Sequence, residues 1–196
     1  MPLLLGLLRP IELWNDVVLR IGRWIGIVAI GLMVVAILIQ VFFRYVLNNA
    51  LPWPDEAARF CMLWMTGLMA PTAFRRGGFV AIDMVVAALP QRIGAILTLG
   101  LLLISAAVLA VGIKLGWGEV NSFMSNSKMA ALYYFDFSSG EFEKMPRRWM
   151  FYSLFVGVIL LFIVNIELIL RSVIEMLGGA DRLRPIAPGE EEIMAE

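Results

Sequence analysis

The chain has 196 residues, of which 61% are hydrophobic and 16% charged, and its mean hydropathy is +0.85, against roughly 45–50% apolar and about 25% charged in soluble domains. Sixteen Lys and Arg balance sixteen Asp and Glu, with no histidine and one cysteine, Cys61. This composition argues against a soluble globule, a disordered chain or a nucleic-acid binder, and it rules out His-ligated haem or zinc, imidazole-dependent catalysis and an intramolecular disulfide.

The first predicted element is an amphipathic segment over 1–23. Its apolar start at 3–8 is too short for the core of a secretory signal, has no basic stretch before it and meets no cleavage motif. From Pro10 the pattern takes a helical period, with Ile11, Trp14, Val18 and Ile21 on one face and Glu12, Asp16, Arg20 and Arg23 on the other. It reads as a helix lying in the membrane interface; a continuous extension of the first span is the alternative.

Four stretches can cross a hydrocarbon core of about 30 Å, which takes roughly 20 apolar residues. They are 24–43, bracketed by Arg23 and Arg44; 57–74, with Arg59 near its start and Pro71 near its end; 93–113, uncharged; and 149–170, with Glu167 in its last turn. The fold expected is therefore an all-α integral membrane protein, with a membrane domain over 24–170 and a cytoplasmic tail over 171–196, solvated from Gly178. Four spans put both termini on one side. Nine basic residues flank that side (Arg9, Arg20, Arg23, Arg75, Arg76, Arg92, Arg171, Arg182, Arg184) against seven on the other, and the Arg75-Arg76 pair sits in a short connection, so both termini are assigned to the cytoplasm.

Between the first two spans, Pro54 is placed to start a helix, with Asp55 and Glu56 in a first turn where carboxylates favour the positive end of the dipole. Glu56 and Arg59 share a face and can pair, and Arg44 can approach the same acidic turn. Charges at a membrane boundary are costly unless paired, so the cluster either staples span 1 to span 2 or contacts a partner or a substrate path. After the second span, Arg75-Arg76-Gly77-Gly78 makes a sharp anchored turn. The eleven residues 79–89, apolar except for Asp83, are too few to cross and form a short interfacial or re-entrant helix, with Asp83 available to Arg75 or Arg76.

Pairs of small residues four apart (Gly22 and Gly26, Ala106 and Ala110, Gly112 and Gly116) can allow close helix approach. The 114–148 connection is rich in aromatic residues, including Trp117, Tyr133, Tyr134 and Phe142, and leads into the fourth span at Trp149; these form an interfacial belt or a docking surface. The tail carries Glu190, Glu191 and Glu192 without apolar periodicity and is expected to be solvated.

The run Arg44-Tyr45, then Trp53 to Arg59 with Asp55 and Glu56, Trp64, Arg75-Arg76-Gly77-Gly78 and Asp83 resembles the small membrane subunit (DctQ type) of tripartite ATP-independent periplasmic (TRAP) transporters. The match is densest over 40–92 and extends through the four-span layout. The resemblance implies a small scaffold subunit in the bacterial inner membrane, with no catalytic role, no cofactor and no metal of its own. It would be stably paired with a large subunit that imports organic anions with sodium, and it would meet a periplasmic solute-binding protein transiently. It also implies that Arg44, Tyr45, Trp53, Asp55, Glu56, Arg59, Trp64, Arg75, Arg76 and Asp83 serve the subunit interface or the structure. Phe79 stands where the family commonly has histidine, and the long 114–148 connection is not typical of it.

Other classes fit less well. A small multidrug exporter needs an acidic residue deep in span 1, and a phosphatidyltransferase needs a repeated Asp cluster; neither is present. A haem-free membrane anchor of another complex remains the alternative.

Overall fold

The computed structural model describes residues 2–76, 91–122, 125–135, 142–179, 183 and 186. Its elements are α1 (Pro2–Tyr45), α2 (Trp53–Arg75), α3 (Gln91–Val120), β1 (Lys128–Phe135), β2 (Phe142–Pro146) and α4 (Arg148–Met176).

Helix α1 runs unbroken through Pro10, so the amphipathic segment and the first span are one helix rather than two. Proline removes one backbone hydrogen bond, but the helical pattern on both sides is strong enough to continue across it. Asn48, at φ 49°, turns the chain out of the helix, and the Asn49 N–H then bonds the Phe43 carbonyl at 3.0 Å, as left-handed residues commonly do at helix ends. Helix α2 begins on Pro52 and Pro54 with Asp55 and Glu56 in its first turn, as the sequence leads one to expect. At the far end of α4, Gly178 adopts φ 78° and its N–H bonds the Glu175 carbonyl at 3.0 Å.

The helices pack in the order α1, α2, α4, α3. The central pair, α2 and α4, meets at Gly67 and Gly157. A Cβ built on Gly157 would lie 2.8 Å from the Gly67 Cα, and one on Gly67 would lie 2.5 Å from the Ser153 carbonyl oxygen. Only glycine at both positions permits this approach. The outer helices use the glycine pairs anticipated from the sequence: Gly22 and Gly26 meet Leu68 and Met69 of α2, and Gly112 and Gly116 meet Val158 and Phe155 of α4. Ala106 is half-buried and Ala110 exposed, so that pair does not form a full contact. Asn165, fully buried on α4, donates to the Leu102 carbonyl at 3.2 Å and accepts from Ser105 Oγ at 3.0 Å when its amide is oriented to satisfy both ends.

Three helices are long and apolar enough to cross a membrane: α1, α3 and α4. Helix α2 is not among them, because Asp55, Glu56, Arg59 and Arg75 all fall within its 23 residues. The short helix expected over 79–89 lies outside the described residues.

The 114–148 connection departs from an all-α fold. Helix α3 extends to Val120, and an antiparallel hairpin follows, pairing Tyr133 with Lys144, Tyr134 with Glu143 and Phe135 with Phe142. The aromatic run 133–135 favours a strand, a preference that aromatic residues share with a membrane-interface belt.

Candidate functional site

Two polar clusters sit at opposite ends of the bundle. The first joins three helices. Helix α1 offers Glu12, Asn15 and Asp16 on one face at helical spacing, α2 brings Arg75 in its last turn, and α4 brings Glu167 and Arg171 one turn apart. Glu167 is 0% exposed. Its Oε1 accepts from Arg75 Nη2 at 2.7 Å, from Arg75 Nε at 3.1 Å and from Arg171 Nε at 3.1 Å, while its Oε2 accepts from Asn15 Nδ2 at 2.6 Å. Arg75 also pairs with Asp16, and Arg171 Nη2 donates to Glu12 at 2.6 Å.

Each of these charges, buried alone, would cost several kcal/mol, at least about 3 for a pair broken on one side. Together the two guanidinium groups pair with all three carboxylates, and they can do so only when α1, α2 and α4 dock in one register. The cluster is thus a lock on the bundle. Every carboxylate in it is held by a guanidinium.

This arrangement reverses the expected orientation of the amphipathic segment. The polar face of α1 turns inward, with Glu12 and Asn15 buried, while Trp14, Val17, Ile21 and Trp24 face outward. In water an amphipathic helix points its apolar side to the core; within a bilayer the apolar side can face lipid and the polar side must find partners inside the protein.

The second cluster centres on Glu56. The register shift between Lys128 and Tyr133 leaves the intervening residues of β1 without regular partners on β2, and Glu56 takes up three consecutive N–H groups there: Ala130 at 3.1 Å, Ala131 at 2.8 Å and Leu132 at 3.1 Å. A carboxylate from the first turn of α2 therefore fastens the hairpin to the bundle, in charge-assisted bonds. The hairpin is held at its base as well, where the Arg147 N–H bonds the Ser127 carbonyl at 2.9 Å and Arg148 Nη2 reaches Asn126 at 2.6 Å.

The remaining residues singled out from the sequence are dispersed. The anticipated Glu56–Arg59 pair does not form: Arg59 is exposed and, among the described residues, has no ion pair, because Glu56 turns to the strand's N–H groups. Arg44 is likewise not at the acidic turn; its guanidinium lies 5.9 Å from the centroid of the exposed Tyr45 ring. Trp53 and Asp55 are exposed on the first turn of α2. Trp64 stacks at 6.2 Å from Phe60, and its buried indole N–H has no partner among the described residues. Arg76 is exposed, its backbone N–H on the Thr72 carbonyl at 3.2 Å. Asp83 and Phe79 lie outside the described residues.

Of the first cluster, only Arg75 stands among the sequence-derived candidates. Glu167 and Arg171 carried a usable signal, an acidic and a basic residue one turn apart at the end of a span, where charge demands a partner. Asn15 carried none.

The family described as tripartite ATP-independent periplasmic transporters, DctQ component, matches residues 33–175, well over half of the chain. No curated protein matches it significantly.

Proposed function

The chain belongs to the DctQ component family of tripartite ATP-independent periplasmic transporters, which makes it a transporter small subunit and not an enzyme, and from this we propose that it is the scaffold on which the large subunit is held in the inner membrane. The tripartite family implies two partners, a large membrane subunit and a periplasmic binding protein. The large subunit is the stable partner and the binding protein the transient one. Organic anions delivered by the binding protein cross through the large subunit with sodium, and this chain supplies neither a cofactor nor a sodium site.

The observation that carries the scaffold reading is the inward lock formed by Arg75, Glu167, Arg171, Glu12 and Asp16. It consumes the carboxylates that could otherwise serve transport chemistry, and it leaves apolar residues of α1 and α3 facing outward, toward lipid and the large subunit.

All four helices cross the bilayer in this reading. From Glu56 to Arg75 is about 28 Å along a helix, and from Arg148 to Glu167 the same, close to the thickness of a hydrocarbon core at about 30 Å. Helix α2 thus spans despite its modest hydropathy, because Arg75 and Glu56 are held by protein partners at its two ends, and Asp55 and Arg59 lie within its first two turns, at the membrane boundary. The termini and the arginine-rich end lie in the cytoplasm and the hairpin in the periplasm.

The test is a mild-detergent purification of the tagged chain from its native membranes. A stoichiometric large polytopic protein is expected, and its loss should follow deletion of this chain together with loss of sodium-dependent organic-anion uptake. Recovery of a peripheral enzyme or redox subunit instead, with uptake unchanged on deletion, overturns the reading.

A further inference from the structure

Beside the inward lock, at the same end of the bundle, lies a cavity of about 350 Å³. Arg75 and Arg171 in its wall are neutralised by Glu12, Asp16 and Glu167. Arg20, Arg23 and Arg76 also line it, and among the described residues none of the three is within salt-bridge distance of a carboxylate. Among the described residues lining it, the balance is an excess of two positive charges.

Two further groups are left wanting a partner. Thr72, 9% exposed, lines the cavity with a buried Oγ that has no hydrogen-bond partner among the described residues, and the buried Nε of Arg23 is in the same condition. Buried polar groups are almost always bonded. The C-terminal end of α2 adds negative potential here, so attraction for an anion must come from the guanidinium groups. These come from two helices and can meet a tetrahedral oxyanion on several of its oxygens.

We propose that this cavity binds a phosphate oxyanion, carried on a lipid headgroup or free in solution. Its volume suits a headgroup-sized ligand. Leu19 and Ile186 line it too, giving apolar surface beside the guanidinium groups. The site goes beyond the scaffold reading and does not depend on it, since a phosphate could bind whichever complex the chain serves.

The experiment uses the full-length chain purified in mild detergent with whatever membrane partner accompanies it, titrated with dioctanoyl phosphatidylglycerol, with dioctanoyl phosphatidylcholine and with inorganic phosphate. Saturable binding of phosphatidylglycerol over phosphatidylcholine is expected, weakened about tenfold or more in Arg23→Gln/Arg76→Gln and unchanged in Lys114→Gln on the exposed surface of α3. Binding of inorganic phosphate without phosphatidylglycerol assigns the same chemistry to a free anion. Thr72→Val separates ligand binding from folding, because it should weaken anion binding severalfold while leaving the melting temperature of the anion-free protein unchanged or higher. Binding of neither probe, or full affinity in both variants, overturns the proposal.

Discussion

Glu167 accepts four hydrogen bonds from residues of three helices, and this convergence makes its removal the most damaging single change in the inward lock. Glu167→Ala leaves two buried guanidinium groups and an amide without their shared acceptor, and a buried pair broken on one side costs about 3–5 kcal/mol. A thermal scan in detergent should show a large drop in melting temperature for Glu167→Ala. For Asp16→Asn, whose side chain is 42% exposed, the loss should be about 1 kcal/mol or less; equal losses would mean that the network is not organised around Glu167. At the other end the contrast lies between Glu56 and Arg59. Glu56→Ala should accelerate amide exchange at Ala130, Ala131 and Leu132 by roughly tenfold, from the loss of charge-assisted bonds, whereas Arg59→Ala should leave those amides unchanged. Both residues were visible in the sequence as charges at a membrane boundary, but their partners were not. A carboxylate three residues from an arginine predicts a local pair, and nothing local announces that a strand more than seventy residues onward presents three free N–H groups to it.

At the scale of elements, hydrophobic runs located the long helices because bilayer thickness imposes a length on such runs, and three of the four are long and apolar enough to cross a membrane. What they could not reveal is which face of a helix meets protein. In α1 the polar face reads as solvent-directed by the rule for soluble proteins, yet Glu12 and Asn15 are among its most buried residues. The hairpin was hidden for a different reason: aromatic residues at 133–135 suit an interfacial belt and a strand equally. The tightest element contact sets Gly67 against Gly157 and Ser153, and neither Gly67 nor the Ser153–Gly157 pair is among the small-residue pairs singled out from the sequence. Gly157→Ala places a methyl group 2.8 Å from the Gly67 backbone; separating α2 from α4 should cost about 1–3 kcal/mol, as overpacking does. Gly100→Ala meets nothing within 4 Å and should be neutral or stabilise α3 by up to about 1 kcal/mol, the helix-propensity gain. Melting curves of the two variants, measured side by side, distinguish a packing requirement from a general dislike of added bulk.

For the whole molecule, the two polar clusters define its ends, and the distance between them decides how it sits in a membrane. The lock gathers the N-terminal half of α1, the end of α2 and the end of α4, while Glu56 gathers the start of α2 and the hairpin before α4. If α2 did not cross, Glu56 and Arg75 would lie on the same side, and the hairpin and the C-terminal end of α4 would share one compartment. Because α2 is a continuous helix joining the two clusters, crossing by α4 requires crossing by α2. Alkaline phosphatase inserted after Ser139, in the connection between the strands, should therefore be active, and the same enzyme fused after Glu196 should be inactive, while a fluorescent protein fused there should fluoresce. Phosphatase activity at both places would remove α2 or α4 from the membrane, and activity only at the C-terminus would invert the molecule. Inversion would also carry the cavity of Arg20, Arg23 and Arg76 to the periplasmic face, against the tendency of basic residues to remain cytoplasmic.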